Sequence, residues 1–331
     1  MHLPSDHSPP IARFARITLL VNLVVIMWGG MVRATGSGAG CGNHWPLCNG
    51  EVIPESPTVH TLIELTHRLT SGAALLLVVA LVVATRRRFA PRHWARRGAM
   101  ASLVLMLVEA AIGAGLVKFE LVAHDASLAR AFSLGAHLVN TQLLLAAILL
   151  TGRWASGRGG PTTAAIGRRW GWFALALLGL LAVGMSGAIA SLGDTLFPAR
   201  SLIEGMAQDR DPTAHILLRL RVWHPALALV TGSLLIALAA FARHWHEDPR
   251  LGQAAKLVSV LVLLQWSIGV LALVLLVPMA IQLLHLVSAD LLWLAVVHLS
   301  AEALAPQAER TNAATMFAAS ASNTVPAPST R

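Results

Sequence analysis

Apolar stretches and short polar segments alternate along the whole chain, and the alternation predicts its architecture. Apolar runs cover about Ile17–Val32, Thr61–Thr85, Ala99–Val117, Leu128–Leu150, Gly171–Ser191 and Thr213–Phe241, and a longer one extends from about Ala255 to Ser300. A helix crosses a bilayer with about 20 apolar residues. The last run is too long for one crossing, and Pro278 after Val277 is its natural break. The pattern therefore predicts an all-α polytopic membrane protein with eight transmembrane helices. The first run lacks a small-x-small cleavage site ahead of polar sequence, so it reads as a span rather than a removable leader.

The polar segments set the orientation. Arg86–Arg97, residues 151–169 and the segment with Arg243, Arg250 and Lys256 are rich in arginine or lysine. Positively charged loops face the cytoplasm. Both termini are then cytoplasmic, and the segments 35–60 and 193–212 lie outside, in an arrangement suited to the plasma membrane. Composition agrees with this reading: 56% of residues are hydrophobic and 12% charged, with mean hydropathy +0.65, against about 25% charged residues in soluble domains. The net charge of +9 reports topology and implies no nucleic-acid partner; the partner is the lipid bilayer. Two cysteines, Cys41 and Cys48, are too few for a disulfide scaffold or a Cys₄ metal site.

The two halves resemble each other. Gly30-Met-Val-Arg33-Ala-Thr-Gly36 answers Gly187-Ala-Ile-Ala-Ser-Leu-Gly193, and Glu109 with Gly113 answers Gln265 with Gly269. His137-Leu-Val-Asn140 answers His285-Leu-Val-Ser288, and Glu64 with His67 answers Arg221 with His224. The matches keep their order, so the expected fold is two pseudo-symmetric parallel four-helix bundles related by an axis along the membrane normal. The expected divisions are a tail over 1–15, an N-terminal bundle over 16–151 with the outer loop 35–60, a basic linker over 152–169, a C-terminal bundle over 170–302, and a disordered tail over 303–331, rich in Ala, Ser, Thr and Pro.

The repeat singles out His67, His137, His224 and His285. Each lies about 10–16 Å into a span that enters from outside, at 1.5 Å per residue. A lone intramembrane histidine reads as a helix–helix hydrogen bond. Four at equivalent positions read as axial ligands, one pair per half, for haem iron. Zinc would want carboxylate or thiolate company, which the second pair lacks. His298, nearer the cytoplasmic end, has no counterpart and reads as interfacial. Arg221 is a candidate partner for a haem propionate or a member of a bundle-internal ion pair. Glu64 is either ion-paired with Arg68 or Arg33, or a proton acceptor beside one haem only. Glu109 either contacts the haem pocket or pairs with an arginine. In the outer loop, Cys41 and Cys48 are expected to form a disulfide. That pair is read as a staple, as a redox-active pair or, with His44, as a metal site; the three readings stay open.

With these residues in place, the chain resembles the haem A synthase family, in its cysteine-containing bacterial type. The resemblance is carried by Arg33-Ala-Thr-Gly-Ser-Gly with Trp45-Pro-Leu-Cys48-Asn-Gly, by Glu64-Leu-Thr-His67-Arg68-Leu, and by His137, His224, Pro278 and His285, and it spans about Arg16 to Ser300. It implies oxidation of the C8 methyl of haem O to the formyl of haem A, for cytochrome oxidase assembly. It implies that His67 and His137 face the haem O substrate, that His224 and His285 ligate a haem b cofactor, and that Glu64 is the catalytic carboxylate. Arg68 and Arg221 become candidate propionate partners. Haem O synthase and an electron donor or acceptor are expected partners, and a homo-oligomer is left open. The chain departs from the family in three places. It has no second cysteine pair between the fifth and sixth spans, it reads His224-Pro225 where His-Arg is usual, and Glu109 stands where Gln is common. Competing readings are a bis-histidine electron-transfer cytochrome, with two permanent haems and no modified product, and a haem or metal transporter with no redox chemistry.

Overall fold

The computed structural model describes residues 7–160, 169–245 and 249–305. The far ends of both expected tails and residues 161–168 of the basic linker lie outside them. Among the described residues the chain folds into ten α-helices: α1 (Pro9–Ala34), α2 (Val59–Arg88), α3 (Trp94–Lys118), α4 (Leu128–Ala155), α5 (Arg169–Leu196), α6 (Leu202–Arg210), α7 (Ile216–Arg221), α8 (Trp223–Trp245), α9 (Pro249–Val274) and α10 (Met279–Ala303). Eight stretches are long and apolar enough to cross a membrane, with α7 and α8 together forming the sixth.

The helix ends follow from local chemistry. Thr58, Ser127 and Ser201 each cap a helix, accepting from the amides of Thr61, Arg130 and Glu204 at 3.1–3.2 Å. Arg86, Arg87 and Arg88 close α2, where cations favour the negative end of the helix dipole. The apolar pattern starts the first span near Ile17, but α1 starts at Pro9. Pro9 and Pro10 occupy the first turn, where a missing N–H costs nothing. Ile11, Ala12 and Ala15 then pack against Leu81, Val82, Phe89, Ala95 and Ala155. The arginines at 13 and 16 hide this apolar stripe because they fall on the exposed face.

Two further differences lie between the fifth and sixth spans. The segment expected as a polar loop holds the last turn of α5 and the short α6. The sixth span is interrupted at Val222, and Pro225 explains the break. Its ring cannot donate to the carbonyl of Arg221 and collides with it.

In the N-terminal half α1 packs on α2 and α4, α2 on α3, and α3 on α4. In the C-terminal half α5 packs on α7, α8 and α10, α8 on α9, and α9 on α10. The halves meet where α4 contacts α5 and α10, and where α1 contacts α10. A single apolar core runs through this junction, from Leu19 and Val78 past Leu145 and Phe173 to Trp293 and Leu299. At the arginine-rich end of the molecule Glu302 of α10 takes Arg153 of α4 at 2.6 Å, and Arg158 as well. Glu302 and Arg153 are both buried.

Removing one member of a buried ion pair strands its partner, at a cost of about 3 kcal/mol or more. Glu302→Ala is therefore expected to destabilise the protein by that amount, seen as a lowered unfolding midpoint in detergent. An unchanged midpoint would show that Arg153 finds an equivalent partner elsewhere.

Candidate functional site

Each of the four histidines lies against a glycine of the preceding span. A Cβ built on Gly29 of α1 would stand 3.0 Å from Cε1 of His67, and one on Gly187 of α5 would stand 2.9 Å from Cε1 of His224. The corresponding distances are 3.3 Å from Gly269 of α9 to His285 and 3.9 Å from Gly113 of α3 to His137. The first two positions admit no side chain without displacing the ring.

In the C-terminal half the His224 and His285 rings face each other, with centroids 6.3 Å apart and planes at 84°. Ser186 Oγ lies 3.1 Å from His224 Nδ1. The Gln265 amide nitrogen sits 3.2 Å from His285 Nε2 and donates to the His285 carbonyl at the same distance. Ser288 donates to the Gln265 oxygen. His285 Nδ1 is buried and has no partner. Two imidazoles bonded to one metal at about 2 Å each have centroids about 6 Å apart once the ring radius is added. The spacing fits an iron held between the two rings.

In the N-terminal half His67 and His137 are close enough to act on each other electrostatically. Nδ1 of each is buried without a hydrogen bond. His137 Nδ1 does lie 3.3 Å from Glu109 Oε1, but off hydrogen-bond alignment. Glu109 accepts from Asn140 Nδ2 at 2.5 Å and from the Thr141 hydroxyl. Of its two expected settings Glu109 thus has the histidine pocket, with no arginine partner among the described residues.

Glu64 is 3% exposed and both its oxygens are engaged. Oε1 pairs with Arg68 Nη2 at 2.5 Å, and Oε2 accepts from the amide of Cys41 at 2.9 Å. Arg68 also donates to the carbonyls of His44 at 2.6 Å and Leu47 at 2.5 Å. Cys41 and Cys48 form a disulfide, and both are fully buried. With its sulfurs bonded to each other, the metal reading with His44 falls. The Glu64–Arg68 pair therefore clasps the disulfide loop onto α2. Arg221 is likewise committed to protein carboxylates: Nη1 lies 2.9 Å from Asp194 and Nε 2.7 Å from Asp209. A propionate would have to displace these acceptors.

Three polar groups inside the spans stand outside the histidine motifs. Asp290 of α10 is 1% exposed with neither oxygen paired. Arg130 of α4 is 3% exposed, and its Nε has no partner. Gln282 of α10 accepts from Arg33 at 2.9 Å. The signal was available for the first two, since an ionisable residue in an apolar run is a functional candidate by itself. In the repeat register Arg130 falls opposite Pro278 and Asp290 opposite Gln142, which is polar but not ionisable.

The family model described as "Cytochrome oxidase assembly protein" (COX15-CtaA) matches residues 12–297. A Thermus thermophilus protein named protoheme IX farnesyltransferase is 44% identical over 304 residues, covering 91% of this chain and 49% of that one. A haem A synthase of Exiguobacterium sibiricum is 36% identical over 141 residues, covering 42% of this chain and 46% of that one. A haem A synthase of Bacillus mycoides is 44% identical over 103 residues, covering 31% and 33%. The chain spans about half the length of the first curated relatives it matches.

The disulfide loop docks closely at Gly40. A Cβ there would stand 2.5 Å from backbone atoms of His60, where nothing flexible can yield. Gly40→Ala is expected to lift the loop from α2 and expose the Cys41–Cys48 bond. Dithiothreitol should then reduce it several-fold faster, followed as a gel shift on maleimide labelling. A rate equal to that of the unaltered protein would mean that docking at Gly40 does not protect the disulfide.

Proposed function

We propose, since the chain belongs to the cytochrome oxidase assembly protein family, that it is a haem A synthase, oxidising the C8 methyl of haem O to a formyl group. The observation that carries the reading is the pair of facing imidazoles, His224 and His285, 6.3 Å apart inside an apolar bundle. A second pair, His67 and His137, occupies the repeat-equivalent positions of the other half. Relatives in Exiguobacterium and Bacillus bear the name haem A synthase. The Thermus relative is about twice this chain's length and bears the name of a farnesyltransferase acting on protohaem. This supports a farnesylating haem O synthase as a working partner.

In this reading His224 and His285 hold haem b in the C-terminal half, and the haem supplies electron transfer when bound. His67 and His137 face the substrate haem O in the N-terminal half. The methyl is hydroxylated twice, each step taking its oxygen atom and two oxidising equivalents from an external oxidant, and the resulting gem-diol loses water to leave the aldehyde. Glu64 is proposed as the carboxylate that accepts a proton during this chemistry, with Arg68 and the Cys41 amide fixing its position. Glu109, held by Asn140, places a carboxylate beside His137. The two halves form two bundles in the sense of the repeat, with the arginine-rich end in the cytoplasm, the disulfide loop outside, and the plasma membrane as the site of action.

A second reading, a bis-histidine electron-transfer cytochrome, draws on the same geometry and on the full engagement of both Glu64 oxygens. Co-expression with a source of haem O, followed by haem extraction and chromatography, separates the two. The synthase reading expects haem A; recovery of haem B and haem O alone would sink it. Glu64→Gln is expected to retain haem while slowing haem A formation at least tenfold, within the range for loss of a general base. Normal production by that variant would leave Glu64 a purely structural clasp. His224→Ala and His285→Ala are each expected to abolish the low-spin haem spectrum, and its persistence in either would show that the pairs are misassigned.

A further inference from the structure

Four arginines lie in the body of the molecule at its disulfide-loop end. Arg68 is neutralised by Glu64, and Arg221 by Asp194 and Asp209. Arg33 and Arg130 have no ion pair among the described residues. Arg33 Nη1 donates to the Ser191 carbonyl and to Thr195 Oγ1, both at 3.1 Å, and Nη2 to Gln282 Oε1 at 2.9 Å. All three acceptors are neutral. Arg130 Nη1 donates to the carbonyls of Ala123 and Asp125, both at 2.7 Å, while its buried Nε donates to nothing. The charged groups close enough to act on Arg33 are Arg130 and Asp194, and Asp194 is already tied to Arg221. The Asp125 carboxylate lies near Arg130 but accepts from the amide and hydroxyl of Ser127. The two guanidinium groups thus lie within electrostatic range of each other, and neither is bonded to a carboxylate.

A desolvated cation held only by neutral oxygens is costly, and an anion entering beside it recovers much of that cost. The position of Arg33 says which anion. Its acceptor Gln282 is one helical turn from His285, and its acceptor Ser191 is one turn from Gly187, against which His224 lies. Both steps run toward the disulfide-loop end and amount to about 4.5–6 Å at 1.5 Å per residue. Gly30 lets α1 close onto Leu283 and Leu286, on either side of His285. Arg33 therefore stands one turn above the imidazole pair, on the side away from the arginine-rich end. Haem carries its two carboxylates on one edge of the ring.

We infer that Arg33, with Arg130 as a second positive charge, forms a carboxylate-binding site for a propionate of the haem held by His224 and His285. This rests on the haem reading above. It moves the propionate contact from Arg221, which the protein's own carboxylates saturate, to an arginine contributed by the other half of the molecule. Haem binding would then join α1 of the first half to α5 and α10 of the second.

The test uses the full-length protein freed of haem and reconstituted with haem b or with its dimethyl ester, whose propionates carry no charge. Affinity is read from the low-spin spectrum. The unaltered protein is expected to bind the free acid at least about tenfold more tightly than the ester, as a charge-assisted contact gives. Arg33→Gln is expected to bind both forms with the affinity of the ester and with an unchanged low-spin spectrum. Arg130→Gln should reduce the preference, and Arg221→Gln should keep it. If Arg33→Gln fails to fold, Arg33→Lys decides, because it retains the charge and should retain a smaller preference, whereas complete retention or complete loss would overturn the assignment. Full preference in Arg33→Gln, or its loss in Arg221→Gln, would also overturn it. Equal binding of acid and ester by the unaltered protein would remove the carboxylate site and leave the haem reading standing. Failure to bind either form with a low-spin spectrum would remove both.

Discussion

An imidazole can sit inside an apolar helical bundle only where the neighbouring helix makes room for it. Interiors are packed without spare volume, so the position of each ring is set largely by the helix opposite. Gly187 fixes how far His224 can approach α5, and Gly29 does the same for His67 against α1. Gly30 extends the constraint across the junction, bringing α1 down onto the leucines that flank His285. A side chain at Gly30 would have to displace the methyl ends of both leucines. The histidine positions and the docking of the two halves are therefore one packing problem.

The same repeat yields two pockets of different charge. His137 has Glu109 beside it, with Asn140 and Thr141 donating to the carboxylate. His285 has Gln265 at the equivalent position, with Ser288 donating to the amide oxygen. One geometry thus carries a carboxylate in one half and its neutral isostere in the other. Away from the histidines the halves differ again, since Glu64 binds Arg68 while Arg221 binds Asp194 and Asp209. A charge in apolar surroundings is costly without a partner, and Arg68 and Arg221 each find carboxylates within their own half. Such an asymmetry leaves one histidine pair beside a carboxylate and the other beside a neutral amide.

Hydrophobic patterning was sufficient to locate the eight long apolar helices, because each contains an apolar stretch long enough to cross a bilayer. The end of α1 was not legible, since Arg13 and Arg16 interrupt the run in sequence while facing outward in space. Repetition exposed the four histidines, and the cysteine pair was legible as a disulfide from its loop. The partners of the charged groups were not. Nothing in the spacing of Arg221 says that α6 exists, because α6 is only nine residues long and buries no residue. Nor does any local signal join Arg33 to Ser191 and Gln282, which come from two other helices far along the chain. Local pattern specifies elements and faces; contacts between distant helices depend on the packing of glycine against ring.

Pro225 shows how a repeat can hold in register and still diverge in structure. In α2 an unbroken helix places Glu64 and His67 three residues apart on one face, as the periodicity of a helix requires. Arg221 and His224 have the same separation, but Pro225 lacks the N–H that would bond the Arg221 carbonyl, and the ladder is interrupted at Val222. Arg221 closes the short α7 and directs its donors to α5 and α6, while His224 opens α8 and meets Ser186 and His285. In the first half the charged residue and the histidine belong to one rigid element, so whatever moves the disulfide loop acts on both. In the second half the break leaves the arginine to brace α6 and the histidine to its ring partner, which frees the imidazole pair from the loop above it.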